Sequence, residues 1–299
     1  MIKIKIFEGG PMNGGIYSST HLKTAILSCF NPDNADIFYK DKQVYITDTD
    51  DFTHAIIINT AMPTLNIPKT NVIGIAWEPF EFLKMEPIFI DYAIKHIGRY
   101  YIGDKYNLPE PFIERYGFLT YNSIEHHGIA SSKPISKGIL QKNNIMSIVL
   151  SWKRITHGQQ YRHQIVECIL QNNLPIDIYG SGYPAGNNVN DTKVKGGFIC
   201  EEPYLNYYFT IAIENFRSNH YFSEKIINPL LYDCQPIYLG CLNIDSYLND
   251  CSISLTGNIT DDMNLIVQIL LNPLSYYKKQ HKQSIIKNVN LLLNLDTLF

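Results

Sequence analysis

The chain opens on "MIKIKIFEGG", in which Ile2, Ile4 and Ile6 alternate with lysines before the run gives way to a glutamate and paired glycines. A period of two is that of a strand with one face in a core. Further short apolar runs follow as "ADIFYK", "QVYIT", "HAIIIN" and "NVIGIAW", separated by turn residues. Runs buried on both faces belong to a mostly parallel sheet flanked by helices. Between the first two lies "STHLKTAILSCF", whose spacing predicts a helix capped by Ser19 or Thr20. "EPIFIDYAIKHIG" predicts another, ending at Gly98, and a loop-rich stretch then runs from Tyr106 to about Lys142.

A second series starts at "NIMSIVLSWKR". It reads as helix "YRHQIVECILQNN", strand "PIDIYG", a glycine-rich loop to Gly197, helix "EPYLNYY", strand "FTIAI", helix "EKIINPLLYD" and strand "QPIYLG". Alternation of this kind builds a second doubly wound sheet. Breaker and polar residues cluster in "SSKPISKGILQKNN", which sets the boundary. The expected organisation is an N-terminal Rossmann-like domain over 1–140, a C-terminal one over 141–260, and a helical region over 261–299 packing back on the body. The fold class is therefore α/β, with two Rossmann-like domains facing across a cleft and ligands at the carboxyl ends of the strands.

Composition narrows the function by exclusion. A chain of 299 residues suits two such domains. Its net charge of −3, with no long run of Lys or Arg, excludes an electrostatic footprint for nucleic acid. Without a basic stripe, the 21 tyrosines read as core and cleft wall. Cys29, Cys168, Cys200, Cys234, Cys241 and Cys251 show no CxxC or metal-ligand spacing, so reduced, buried thiols are expected. No run approaches the ~18 apolar residues of a membrane span, and the N-terminus lacks a signal peptide's apolar stretch. The expectation is a soluble, cytoplasmic chain.

Chemistry concentrates in "YYFTIAIENFRSNHYFSEKIINPLLYDCQPIYLG". A core strand runs into Glu214-Asn215, and Glu224-Lys225 open an apolar helix after Tyr221. Ser223 suits the N-cap, which places Glu224 and Lys225 in the first turn. Helix N-termini present unpaired amides and a partial positive charge that favour phosphate. Lys225 adds a full charge for a diphosphate there, whereas Glu224 suits sugar or ribose hydroxyls. Pro229 interrupts the helix by disturbing the bond to the carbonyl of residue 225. Taken by itself, the stretch also reads as a charged helix start that complements the dipole and holds no ligand.

The pattern resembles the nucleotide-sugar-binding signature of the α1,3-fucosyltransferases, glycosyltransferase family ten. In that family an apolar strand ends in Glu-Asn, Tyr-x-x-Glu-Lys follows at this spacing, and a later strand ends in Pro-[Ile/Val]-x-x-Gly. "IVLSWKRITHGQQYRHQIVECIL" resembles the family's strand, loop and Arg-led helix, and "IDIYGSG" its strand and glycine turn. The likeness extends from Met146 to about Ile253. It implies a GT-B, inverting, metal-independent transferase using a nucleotide sugar, foremost GDP-fucose, and a glycan or glycoconjugate acceptor. Carried across, Arg162 and Lys225 would bind the diphosphate, and Asn215, Tyr221 and Glu224 would line the donor pocket. "SWKR" departs from the family's small polar residues, so Lys153 or Arg154 can share the phosphate role. Asn228-Pro229 is a second departure, and both leave the sugar open. Gly180 and Ser181 are placed to approach the nucleotide, because glycine leaves it space.

One-step inversion needs a carboxylate to take the acceptor's proton. Glu78, ending the strand of "VIGIAWEPF", is the first candidate, with Glu81 and Asp104 behind it. Asp48-Thr49-Asp50 imitates a metal-binding Asp-x-Asp but reads as a solvated turn. His126-His127 lack a third ligand, and "EGGPMNGG" carries no phosphate fingerprint; no metal site is expected. Three alternatives stand beside the fucosyltransferase. One is the same fold with another nucleotide-linked deoxy or acetamido sugar. The second is a non-catalytic protein that binds nucleotide sugars or glycans. The third is a metal-dependent transferase of the single-domain fold, using Asp48-Thr49-Asp50.

Overall fold

The computed structural model describes residues 1–9, 37–39, 41–116, 142–182, 192–199 and 201–278. These residues form two compact units, one holding 1–116 together with Ser218–Tyr221, the other 142–217 and 222–278.

The first unit is built on β1 (Ile2–Gly9), β2 (Ile37–Tyr39), β3 (Lys42–Ile46), β4 (His54–Asn59), β5 (Val72–Ile75), β6 (Arg99–Ile102) and β7 (Phe112–Glu114). They pair in the order β2-β3-β1-β4-β5-β6-β7, parallel throughout except for β2 against β3. β4 and β5 sit at the centre, which is why "HAIIIN" and "VIGI" are apolar without alternation. Ala55, Ile56, Ile57 and Ile58 are all buried. Short α1 (Phe80–Leu83) and the longer α2 (Pro87–His96) follow β5. α2 presents Phe89 and Ala93 to a core shared with Tyr100 and Phe112. The sequence reading had no strand at β6 or β7. β6 starts three residues after α2 ends, and its "RYYI" is too short to show a period. Its pairing with β5 and the burial of Tyr100 make it a strand.

The second unit holds β8 (Asn144–Val149), β9 (Ile176–Tyr179), β10 (Val194–Gly196), β11 (Tyr207–Ile213), β12 (Gln235–Leu239) and β13 (Ile253–Ser254). Their order is β10-β9-β8-β11-β12-β13 with every pair parallel. The crossovers include α3 (His157–Gln171) and α4 (Glu224–Leu231), and α5 (Ile259–Leu271) and α6 (Pro273–Tyr276) close the described chain. Asp262, fully buried on α5, accepts from Thr256, Gly257 and the Tyr161 hydroxyl of α3, which fastens the two helices together.

Two expectations are corrected here. "EPYLNYY" is not a helix: residues 201–206 form turns, and β11 begins at Tyr207, which pairs with Asn144. Burial of Tyr204 and Tyr207 beside Cys234 outweighs helical propensity in so short a segment. α3 starts one turn earlier than Tyr161. Thr156 caps it in a reciprocal box with Gln159, which brings Gly158 into the first turn. The predicted helix over 19–30, the histidine pair 126–127 and the region beyond 278 lie outside the described residues.

Candidate functional site

In a parallel sheet every strand ends at the same edge, so β8, β11 and β12 deliver their following residues together. β11 delivers Glu214 and Asn215. Glu214 is 1% exposed, yet its carboxylate is fully occupied. Oε1 accepts from the Ser223 amide at 2.8 Å and from the Tyr238 hydroxyl at 3.4 Å, and Oε2 accepts from the Ser223 hydroxyl at 2.6 Å. Ser223 is the N-cap of α4, so this buried carboxylate fixes where that helix begins.

Two glycines make the arrangement sterically possible. A Cβ on Gly158 would lie 1.8 Å from the Glu214 carbonyl oxygen, and one on Gly240 would lie 2.4 Å from Glu214 Cγ. The Gly158 amide donates to the Asn215 carbonyl at 3.1 Å, so the first turn of α3 rests directly on the end of β11. Gly158→Ala must push backbone from backbone. It is expected to cost about 2–3 kcal/mol of stability, read as a lowered unfolding midpoint in urea.

That contact brings Arg162, one turn further along α3, to Asn215, whose Oδ1 accepts from Nη2 at 2.6 Å. The Lys225 ammonium lies 2.9 Å from the Ser223 hydroxyl, 3.0 Å from Glu224 Oε1 and 3.4 Å from Glu214 Oε2. Burial opposes the charges of both Lys225 and Glu224, but their mutual attraction, with help from Glu214 on the lysine, prevails. Lys225 is held above its ordinary value and Glu224 below its own. Glu224 thus contributes stability above its ordinary 4.5, lost as pH falls through the lowered value. Lys225 contributes fully below 10.5 and loses its contribution only as pH rises through the raised value.

Arg162, Lys225, Lys153, Asn215 and Glu224 line one cavity of about 320 Å³ in the second unit. That is within the range of small-molecule sites. The sequence reading placed these five at the donor, and the fold brings them to one hollow. Asn228, named in the sequence only as a departure from the family pattern, lines it too, as do Phe198 and Tyr204, which were not singled out. Asn228 follows Glu224 by four residues, so the shared helix face was a readable signal. Phe198 sits just after the short β10, where nothing in the pattern marks it. Glu214 was read as part of the motif without a role of its own.

Other residues stand elsewhere. Gly180 and Ser181 are absent from the cavity wall; the Gly180 amide donates to the Gly196 carbonyl, with φ at +99°, and a Cβ there would meet the Leu150 carbonyl at 2.3 Å. Tyr221 groups with the first unit, and its hydroxyl donates to Glu78 Oε2 at 3.1 Å. Glu78 follows β5 just ahead of Pro79, the N-cap of α1. Glu81 accepts from the Tyr106 hydroxyl, which that bond drives up to about 12. Asp104 accepts from Ser218 and Asn219. Asp50 pairs with Lys5 and Asp51 with Lys3, both acids on exposed turns. Among the described residues no three His, Cys, Asp or Glu side chains group as a metal site. No helix among them is long and apolar enough to cross a membrane.

Known proteins place this architecture. Residues 139–253 match Glycosyltransferase family 10 (fucosyltransferase) C-term. A crystal structure of an alpha1,3-fucosyltransferase is similar over 99% of this chain and 91% of its own, at 13% identity and a TM-score of 0.56. A structure of an alpha1,3-fucosyltransferase with GDP gives the same coverage and identity at a TM-score of 0.52. No curated protein matches the chain at the level of sequence. Fold and family match together define a glycosyltransferase of the GT-B type. Within that class it is fucosyltransferase-like, since residues 139–253 match the model of the family 10 C-terminal domain.

Proposed function

We propose that the protein transfers fucose from GDP-fucose to a glycan hydroxyl, with inversion and without a metal. The observation that carries this reading is the gathering of Arg162, Lys225 and Lys153 on one cavity beside the start of α4. Cations and helix amides held in place stabilise the charge that grows on a departing diphosphate. The fucosyltransferase character of residues 139–253 and the GDP in a structurally similar enzyme support the choice of nucleotide.

In the step, the acceptor oxygen forms a bond to the anomeric carbon as the bond from that carbon to the diphosphate oxygen breaks. The electron pair leaves with GDP, held by Arg162 and Lys225, and the acceptor's proton passes to Glu78. Glu224 and Asn215 carry acceptors for sugar or ribose hydroxyls, while Asn215 also steadies the guanidinium of Arg162. Phe198 and Tyr204 offer the nucleotide an aromatic surface.

A thermal-shift panel of GDP, UDP and dTDP tests the donor, since a ligand of the folded state raises the midpoint by RT ln(1 + [L]/Kd). GDP at a hundred times its Kd is expected to add about 2.7 kcal/mol, and the other two much less. A larger shift with UDP or dTDP would replace fucose by another nucleotide-linked sugar. GDP-fucose turnover with a glycan panel, read as GDP release, then separates an enzyme from a mere binder.

A further inference from the structure

The loop from β11 to α4 carries a feature that the donor reading leaves unused. Both elements belong to the second sheet, but Ser218–Tyr221, in the middle of the loop, packs within the first unit. There it crosses the carboxyl ends of three neighbouring strands. Tyr221 reaches Glu78 after β5, Ser218 and Asn219 meet Asp104 after β6, and His220 Nε2 lies 3.6 Å from Glu114 Oε1 on β7. Asp104 is the principal anchor. Its Oδ2 accepts from the Ser218 hydroxyl at 2.7 Å and the Asn219 amide at 2.9 Å, and its Oδ1 accepts from the Asn219 side-chain amide at 2.8 Å. Ser218 is 2% exposed and Tyr221 4%, so the strap is seated and not draped over the surface.

We propose that Asp104 is a positioning residue for transfer: it clamps the strap Ser218–Tyr221 so that the Tyr221 hydroxyl holds the Glu78 carboxylate in one orientation. The inference rests on Glu78 as the base. Bonds to an ionised acceptor are shorter and stronger than neutral ones, and here three donors come from two consecutive residues. They fix the backbone two residues ahead of Tyr221 and so the reach of its ring. His220, between the clamp and the tyrosine, takes the left-handed conformation at φ +55°, which turns the chain from one to the other. A carboxylate whose Oε2 is held by the Tyr221 hydroxyl keeps a set orientation. Proton transfer is sensitive to that orientation, because the reacting atoms must be aligned when the bond to the acceptor forms.

The test is a double-mutant cycle on the full-length protein, with GDP-fucose and the acceptor chosen by the glycan panel, or water if none is chosen. Asp104→Asn keeps the shape but turns one acceptor into a donor that faces other donors. It is expected to lower kcat about tenfold and change the Kd for GDP less than twofold. If Asp104 acts through Tyr221, the same substitution made in Tyr221→Phe lowers kcat less than twofold further. Equal losses in the two backgrounds would overturn the proposal, as would a loss confined to GDP affinity. Asn219→Ala removes only the Oδ1 contact and serves if Asp104→Asn fails to fold; its smaller loss, about threefold, should vanish in Tyr221→Phe in the same way. Glu78→Gln is run alongside. Full turnover in that variant rejects the base assignment, whereas additive losses with Glu78→Gln inactive reject the clamp alone.

Discussion

Glu78→Gln is expected to cut GDP-fucose turnover about a thousandfold, the usual scale for a lost general base, and to leave GDP affinity unchanged. Glutamine keeps the size and the acceptor oxygen for the Tyr221 hydroxyl but cannot take up a proton at neutral pH. Single-turnover rates and GDP titrations on the same preparation separate the two effects. The neighbouring acids are held by other groups. Glu81 is bonded to the Tyr106 hydroxyl on an exposed helix start, and Asp104 is committed to three donors of one strap. Glu78 lies three residues past the end of β5, just ahead of the N-cap Pro79, and accepts from Tyr221. A variant that retained its rate would move the proton to one of those two acids.

Lys225→Ala should weaken GDP binding by at least a hundredfold, measured by calorimetry, with Arg162→Ala close behind. Two losses combine in the lysine variant. A diphosphate loses a cation, and Glu214 and Glu224 lose the ammonium that lies between them. Truncating one member of a buried charged pair costs about 2–5 kcal/mol, much of it from the partner left behind. The unfolding midpoint should therefore fall as well. Arg162→Ala releases the neutral Asn215 Oδ1 and Gly158 carbonyl, so stability should suffer less while binding still drops. Unchanged affinity in Lys225→Ala would remove the diphosphate from this cavity.

The parts of the molecule that were legible in advance are those whose period or local chemistry is self-contained. "HAIIIN" and "QPIYLG" show their burial on both faces in their own letters, and both are strands. Ser223 reads as a cap because capping involves only the residues that follow it, and it caps α4. The strand β6 was not legible, because a four-residue strand owes its state to pairing with β5. Nor was the turn conformation of 201–206, which depends on tyrosines buried beside Cys234. At the site, the charged residues could be named from their motif. The role of Glu214 could not, since it depends on Tyr238 and Ser223 arriving from two other elements. The seating of Tyr221 on Glu78 joins residues 143 positions apart and left no local trace.

The end of β11 is hemmed in by positions where only a hydrogen atom fits, at Gly158 and at Gly240. Side chains anchored to such a terminus have no slack with which to follow a ligand of different outline. Change in the outline of this cavity is therefore easier at Phe198, which is 38% exposed and bears on neither glycine contact.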